Sequence, residues 1–129
     1  MKKNSESNKS IMDFEIEFFE KLIKENPDFV DVLIPLAEAY TKAGNYGKGL
    51  VVDKRLSELR PDDAIVHYNL ACSFSLMTNI NEAMEALKKA VNFGYDDFDY
   101  MSIDQDLLNV RNDSSYKEIF IRWTKRKRG

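Results

Sequence analysis

The chain has 129 residues, of which 43% are hydrophobic and 32% charged, with only 5 glycines and 3 prolines. This composition is typical of one mainly helical globular domain and excludes the disordered and fibrous classes. The net charge of −3 is unevenly spread, because residues 10–121 carry 21 acidic against 11 basic side chains and residues 122–129 carry five basic and no acidic ones. A single cysteine, Cys72, excludes an internal disulfide and a cysteine-cluster metal site.

Neither a membrane span nor a secretory signal is predicted. No apolar run approaches the roughly 18 residues that a spanning helix needs, and no apolar region follows the lysines of the first ten residues. We therefore expect a cytoplasmic protein. Residues 1–9 are polar and are expected to be disordered.

The first predicted helix runs from Ser10 to Glu25. Ser10 is a suitable N-cap, and the apolar residues that follow cover about half of the helical circumference. That is more apolar surface than a helix with one buried face requires. Pro27 ends the helix, because the residue before a proline is pushed out of the helical region.

Two helical hairpins follow, each with a short turn inside it and a proline or glycine after it. Their helices are predicted over residues 30–43, 46–60, 64–77 and 80–92. Gly44 is a favourable helix stop, and Asp63 is a suitable N-cap for the third of these helices. Pro35 predicts a kink or a later start in the helix that contains it.

The regular pattern ends at Gly94. We expect a short helix near Phe98, a turn near Asp104 and a final helix over residues 114–123. The aspartates of residues 96–106 lack the ligand spacing of a calcium-binding EF-hand loop, so they are expected to cap short helices and to pair with Arg111.

The two hairpins repeat with a period of 34 residues, the spacing between Asp28 and Asp62. The same shift lays Val32, Leu36, Ala37, Asn45 and Lys54 over Val66, Leu70, Ala71, Asn79 and Lys88. Such a period of helix pairs is typical of arrays in which each unit buries its apolar face against the next. The pattern resembles the tetratricopeptide repeat (TPR), which it matches at Leu36, Ala37, Tyr40, Gly49 and Pro61 in the first unit and at Leu70, Ala71, Phe74, Ala83, Leu87 and Ala90 in the second.

The resemblance implies an all-α, right-handed solenoid of antiparallel helix pairs over residues 10–122. Its parts would be a half repeat over the first helix, full repeats over residues 28–61 and 62–95, a C-terminal helical cap over residues 96–122 and a basic tail over residues 123–129. The chain departs from the family pattern at Asp53, His67 and Tyr95, where the family has an aromatic residue, tryptophan and proline.

The resemblance further implies a concave groove that binds a peptide segment or helix of a partner protein. The predicted groove residues are Ile34, Glu38, Thr41, Lys42, Tyr68, Asn69, Cys72 and Ser75. In the family, an asparagine at the position of Asn69 often holds the backbone of a bound peptide, since an amide both donates and accepts hydrogen bonds. The family's basic clamp for an acidic tail is missing, so a neutral or basic peptide is expected. A hydrogen bond of Asn69 within the groove is the alternative.

No catalytic residue, metal site or cofactor is predicted. His67 is the only histidine, so no histidine metal cluster and no ordinary catalytic triad can be assembled. A carboxylate in a mostly apolar interface needs a partner, and we expect Asp53 and His67 to form a structural hydrogen-bonded pair, with Arg55 as a further partner.

The first helix lacks the preceding helix that would cover its aromatic side. Phe14, Phe18 and Phe19 are therefore expected to form an exposed association surface that mediates homodimerisation or holds another protein. The predicted function is that of a non-enzymatic interaction module.

An alternative function is an accessory protein whose basic tail contacts nucleic acid or an anionic membrane, because clustered cations gain from counterion release. The acidic body opposes a nucleic-acid partner, so this class is not favoured.

Overall fold

The computed structural model describes the backbone of residues 2–128 and the side chains of residues 9–127. Every regular element in that range is helical. The helices are α1 (Lys2–Glu25), α2 (Val30–Lys42), α3 (Tyr46–Leu59), α4 (Ala64–Leu76), α5 (Ile80–Asn92), α6 (Phe98–Met101), α7 (Leu108–Arg111) and α8 (Ser114–Arg128), with a 3-10 turn, Gln105–Leu107, before α7. None of the helices in the described part of the chain combines the length and apolar character that a bilayer span requires.

Both terminal helices are longer than the sequence pattern predicts. α1 begins at Lys2 and not at Ser10, so the expected disordered start and the expected Ser10 cap are both wrong. No glycine or proline interrupts the chain before Pro27, and the lysine, asparagine, serine and glutamate residues of its first turns each cost at most about 0.7 kcal/mol to keep helical once the following turns are packed. α8 continues to Arg128, so the predicted basic tail is helical as far as that residue.

The chain forms two compact units, Met1–Leu59 and Arg60–Gly129. In the N-terminal unit, α1 packs against α2, and α2 packs against α3. The core of this unit consists of Val32, Leu33, Leu36, Ala37, Ala39, Tyr40, Leu50 and Leu56. The hydroxyl of Tyr40 donates a hydrogen bond to the carboxylate of Glu20, which fixes α1 to α2.

In the C-terminal unit, α4 packs against α5, and residues 97–111, here called the cap segment, pack against α4. The core of this unit includes Leu70, Ala71, Ala83, Leu87, Ala90, Met101, Leu107, Val110, Tyr116 and Trp123. Asp63 caps α4 as predicted, since its carboxylate accepts hydrogen bonds from the backbone N–H groups of Ile65 and Val66 at 2.9 and 3.2 Å.

The 34-residue period continues into the cap segment, which the sequence pattern did not predict. Counted at this period, the first helices of successive repeats start at Val30, Ala64 and Phe98, and the second helices start at Tyr46, Ile80 and Ser114. The cap segment therefore has the position of a third first helix, but it is broken into α6, a 3-10 turn and α7. The break falls at Asp104, which stands in the register of the buried Leu36 and Leu70.

Three helix ends have the same backbone geometry. After α2, the N–H of Asn45 bonds to the carbonyl of Tyr40 at 2.8 Å and that of Gly44 to the carbonyl of Thr41 at 3.1 Å, the two bonds of a Schellman motif. The same pair of bonds ends α4 at Thr78 and α5 at Gly94. The motif places its central residue at positive φ, and Thr78, at 61°, is the one non-glycine residue of the described chain in that region.

Candidate protein-docking surfaces

The part of the predicted groove that belongs to the N-terminal unit lies on α2. Ile34, Glu38 and Lys42 are exposed and Thr41 is half-buried. Their spacing along the helix puts them on one side of α2. This surface is open to solvent and mixes one apolar residue with two opposite charges.

The part of the predicted groove that belongs to α4 is closed by the chain itself. Tyr68, Cys72 and Ser75 are buried, and Asn69 is half-buried. The prediction that these three buried residues line an open groove is therefore wrong within this unit. The reason is that the cap segment packs on this side of α4, where a bound peptide was expected.

A buried carboxylate ties the cap segment to α4. The hydroxyl of Tyr68 donates a 2.7 Å hydrogen bond to Oδ2 of Asp104, and Sγ of Cys72 lies 3.7 Å from the same oxygen. The ring of Tyr68 stacks on that of Tyr95 at a centroid distance of 4.2 Å. Burial, followed by the neighbouring Cys72 and Asp104, raises the pKa of the Tyr68 hydroxyl far above its usual range, so it stays protonated and donates.

A second set of hydrogen bonds joins the other end of the cap segment to α4. The hydroxyl of Ser75 accepts a hydrogen bond from the N–H of Val110 at 3.2 Å, and its carbonyl accepts one from Nδ2 of Asn109 at 2.9 Å. Arg111 donates to the backbone carbonyls of Met101, at 3.0 Å, and Asp104. The sequence predicted that Arg111 pairs with carboxylates. It bonds to backbone carbonyls instead, because the break between α6 and α7 leaves these carbonyl groups without a partner within a helix.

Two aspartates of the cap segment, Asp97 and Asp104, cap short helices, as predicted. The carboxylate of Asp97 accepts from the N–H of Tyr100 at 3.1 Å, and Oδ1 of Asp104 accepts from the N–H of Asp106 at 3.0 Å. Among the side chains that the structure describes, no group of three or more histidines, cysteines or carboxylates converges on a point where a metal ion would sit.

The hydrogen bond of His67 differs from the prediction. Its Nε2 atom lies 2.6 Å from the carbonyl oxygen of Pro61, so Nε2 carries the proton and donates, and its ring stacks on Phe93. Its Nδ1 atom has no hydrogen-bond partner among the described residues. The bond expected to reach Asp53 is thus directed to a backbone carbonyl one turn before the helix that carries His67.

The arginine expected to share this pair is engaged elsewhere. Nε and Nη2 of Arg55 donate to Oδ1 of Asp28 at 3.0 and 2.6 Å, and Nη1 donates to Glu58 at 2.8 Å. One of these exposed ion pairs joins α3 to the turn that precedes α2, and the other lies within α3 at a spacing of three residues. Sequence spacing alone does not reveal the first of them.

α1 carries two separate apolar faces. One face is half-buried and consists of Met12, Ile16, Phe19 and Ile23. The other consists of Ile11, Phe14, Phe18 and Leu22, here called the α1 stripe, and is exposed: Ile11 by 57%, Phe14 by 70% and Phe18 by 51%. Both sets recur at helical spacing, so each forms one continuous line along α1. Phe14 and Phe18 are therefore exposed as expected, whereas Phe19 belongs to the half-buried face.

Charged residues flank the α1 stripe on both sides. Helical spacing places Glu15 on one side of it and Lys21 on the other, and it places the exposed Glu25 in line with the stripe.

The last helix, α8, is basic on its exposed side and apolar on its buried side. Tyr116 and Trp123 are buried, while Arg122, Lys125 and Arg126 are exposed. Lys127 is used within the unit: its Nζ atom donates to the carbonyl of Asp96 at 2.6 Å and lies 5.7 Å from the ring centroid of Phe98. The basic end of the chain is thus an ordered helical surface and partly an internal anchor.

A groove of about 360 Å³ separates α5 from α8. It is lined by Asn81, Met84, Glu85, Lys88, Ser115, Glu118, Ile119 and Arg122. Its two acidic and two basic side chains balance, and Glu85 already pairs with Lys88 at 3.3 Å. The groove therefore favours no particular class of charged ligand.

Comparisons with known proteins agree with the fold. No protein-family model matches the chain. The chain is 29% identical over 80 residues to a chloroplastic protein of Arabidopsis thaliana, and the match covers 60% of this chain but only 24% of that protein. The solved structure of MamA (41-end) from Desulfovibrio magneticus RS-1 has a TM-score of 0.73, with 23% identity, over 95% of this chain and 70% of that one. The structural likeness confirms the helical repeat fold predicted from the 34-residue period.

Proposed function

Because the chain is a TPR-like helical solenoid, we propose that it is a non-enzymatic protein-interaction module whose principal docking surface is the α1 stripe. The observation that carries this proposal is the exposure of Phe14 and Phe18 on a helix whose other apolar face is already packed. Large apolar side chains gathered in one exposed line commonly mark an association site.

The 34-residue period places α1 in the register of a second helix. Residues 12–25 of α1 stand 34 residues before α3, which is the second helix of a hairpin and packs against α2. The α1 stripe lies beside Glu15, the residue in the register of Gly49, which contacts α2. An α-helix is thus the natural occupant of the stripe.

The energetic balance favours a weak and concentration-dependent association. Complete burial of an isoleucine, leucine or phenylalanine contributes about 1.5–3 kcal/mol each, and the four residues of the stripe are already partly covered. Association costs about 4–15 kcal/mol in lost freedom. The stripe therefore binds usefully when its partner is a well-matched helix or when the polar rim adds complementary charges.

The test is the association of the full chain with and without the stripe. We expect the double variant Phe14→Ser with Phe18→Ser to leave the far-UV circular dichroism unchanged, since both rings are exposed. The same variant should abolish the self-association that light scattering measures, and it should abolish the capture of partner proteins. The matched control is Ile65→Ser, which removes an exposed apolar residue from α4 and not from α1. It should leave association unchanged. Undiminished association of the double variant contradicts the proposal.

A second candidate is a peptide contact on the exposed side of α2. Ile34, Glu38 and Lys42 are available there, unlike the residues of α4 that the cap segment covers. If a partner captured by the chain resists the α1 substitutions but is lost on Ile34→Ser with Glu38→Lys, this surface, and not the α1 stripe, holds it.

A further inference from the structure

We propose that the groove between α5 and α8 is a second docking surface and that its occupant is an acidic amphipathic helix of another protein. This helix carries one apolar anchor and has carboxylates one and two turns away from it. The surface is separate from the α1 stripe, so the proposal does not rest on the function proposed for that stripe. It is carried by the order of the groove residues along the two helices and by the cations at one end of the groove.

The groove follows the 34-residue period. Its lining residues form equivalent pairs: Asn81 with Ser115, Met84 with Glu118, Glu85 with Ile119, and Lys88 with Arg122. α5 and α8 are the second helices of successive repeats, and equivalent helices of a solenoid lie side by side in the same direction. Each pair therefore lies at one level of the groove.

The chemistry of the groove changes from level to level. Met84, which is 5% exposed, and the half-buried Ile119 form an apolar floor in the middle. Lys88 and Arg122 form the last level, toward the C-terminal ends of both helices. The two acidic residues of the groove precede these cations by about one turn. The charges thus balance over the whole groove but not at its C-terminal end.

The basic end of the groove continues along α8. Arg126 extends the line of Ser115, Ile119 and Arg122, because spacings of four, three and four residues keep side chains on one face of a helix. Arg122 and Arg126 are exposed, and neither forms an ion pair with a carboxylate among the side chains of residues 9–127. Two guanidinium groups without a carboxylate partner therefore favour an acidic ligand at this end.

The shape of the surface favours a polypeptide over other anionic partners. An anionic membrane is a broad plane, so it does not reach Met84 at the floor of a groove of about 360 Å³. A nucleic acid brings many phosphates, which the 21 acidic against 11 basic side chains of residues 10–121 repel. A helix with only two or so carboxylates on one face contacts both the floor and the cations.

The rise of the α-helix gives the spacing of the ligand. Ile119 is three residues from Arg122 and seven residues from Arg126, which is about 4.5 and 10.5 Å along the axis of α8. A helix that lies along the groove therefore matches it with an apolar residue at position i and acidic residues at i+4 and i+7. A helix of the opposite direction matches it with the reverse order.

Titration of the isotope-labelled full chain with synthetic peptides, followed by NMR, tests the chemistry of the partner. The probe is an alanine-based helical peptide of about 15 residues, acetylated and amidated, with leucine at i and glutamate at i+4 and i+7. It is made in both orders, because either direction fits. We expect amide shifts at α5 and α8 and a Kd that rises with ionic strength.

Two altered peptides separate the charge from the anchor. A peptide with lysines in place of the glutamates should bind at least about fivefold more weakly, since it meets Arg122 and Arg126 with like charges. A peptide with alanine in place of leucine should also bind about fivefold or more weakly, because it leaves the apolar floor uncovered.

Substitutions in α8 test the residues. Arg122→Gln and Arg126→Gln should each raise the Kd of the glutamate peptide by about 1.5- to fivefold. Lys117→Gln is the matched control, because it removes the same charge from an exposed position of α8 that does not line the groove. It should leave the Kd unchanged. All three side chains are exposed, and far-UV circular dichroism checks that the variants stay folded.

Charge reversal tests whether the basic end selects the ligand. The double variant Arg122→Glu with Arg126→Glu should bind the glutamate peptide more weakly than wild type does and the lysine peptide more tightly. An unchanged order of preference contradicts the proposal.

Three further outcomes overturn the proposal. The first is equal binding of the glutamate and lysine peptides, and the second is a set of amide shifts that avoids α5 and α8. The third is tighter binding, at the same residues, of duplex DNA or of phosphatidylcholine vesicles with about 30% phosphatidylserine, which replaces the polypeptide by a phosphate-bearing surface. None of these measurements depends on Phe14 or Phe18, so the function proposed for the α1 stripe stands or fails separately.

Discussion

The hydroxyl of Tyr68 donates its hydrogen to the carboxylate of Asp104, 36 residues later in the chain, and both groups are buried. This bond joins the first helix of the last complete repeat to the cap segment. It converts the side of α4 that a repeat protein usually offers to a ligand into an internal contact. The docking surface proposed for the chain is consequently on α1 and not on α4.

Tyr68→Phe tests how much this bond contributes to the C-terminal unit. The phenylalanine keeps the stacked ring but removes the hydroxyl, which leaves Oδ2 of Asp104 buried with only the weak Cys72 donor. We expect a loss of about 1–3 kcal/mol in the free energy of unfolding, measured in urea. Tyr100→Phe, at an exposed tyrosine of the same segment, is the control, and an equal loss in both variants would contradict the interpretation.

Thr78→Gly is expected to stabilise the protein. Thr78 is β-branched and holds φ at 61°, where a left-handed conformation costs about 1–2 kcal/mol, and glycine removes that cost while losing about 0.5–1 kcal/mol to its freer unfolded chain. A net gain of roughly 0.5–1 kcal/mol should follow in thermal or urea unfolding.

The reverse change at the equivalent turn provides the comparison. Gly44 has φ of 82°, and a Cβ there would have no neighbouring atom within 4 Å, so the main cost of Gly44→Thr is backbone strain. The expected loss is about 1–2 kcal/mol in the free energy of unfolding. If the two substitutions changed stability in the same direction, left-handed strain would not be the cause.

Gly49→Leu should destabilise the α2 and α3 pair. The added side chain would meet Oγ1 of Thr41 at 3.0 Å and the backbone oxygen of Ala37 at 3.6 Å. Overpacking of this kind costs about 1–3 kcal/mol. Gly47→Ala, in the same helix with nothing within 4 Å of its Cβ, should instead gain up to about 1 kcal/mol from helix propensity. Urea unfolding of the two variants measures the difference.

Asp106 predicts a pH-dependent stability. Burial, and then the nearby Asp104, raises the pKa of the Asp106 carboxyl in the folded state. The folded state then binds more protons than the unfolded state between the two pKa values, so this group destabilises the fold as pH rises through that window. Asp106→Asn should therefore be more stable than wild type at pH 7.

The advantage of Asp106→Asn over wild type should disappear near pH 3, where the carboxyl is protonated in both states. Urea unfolding at several pH values gives the comparison. Asp99→Asn removes the same charge from an exposed position of the cap segment and serves as the control. An advantage of Asp106→Asn that is equal at pH 3 and pH 7 would show that the charge is not responsible.

The local signals in the sequence determined the helices and their repeat. Gly44 and Gly94 end helices because glycine accepts positive φ, Asp63 starts one because its carboxylate reaches two free N–H groups, and the 34-residue period sets where the helices begin. These effects act over a few residues, so the amino-acid sequence by itself was sufficient to predict them. The exposure of Phe14 and Phe18 also followed, because the pattern showed more apolar surface than one face can bury.

Only the tertiary structure decided which surfaces are open. Tyr68, Cys72 and Ser75 lie on the side of α4 that the period assigns to a groove, yet a segment more than thirty residues later covers them. His67 bonds to a carbonyl rather than to a carboxylate for a similar reason, since its partner depends on where the preceding turn places Pro61. The physical cause is the same in both cases: helix formation is a local balance, whereas the partner of a given side chain depends on which distant segment packs against it and which polar groups of that segment need a hydrogen bond.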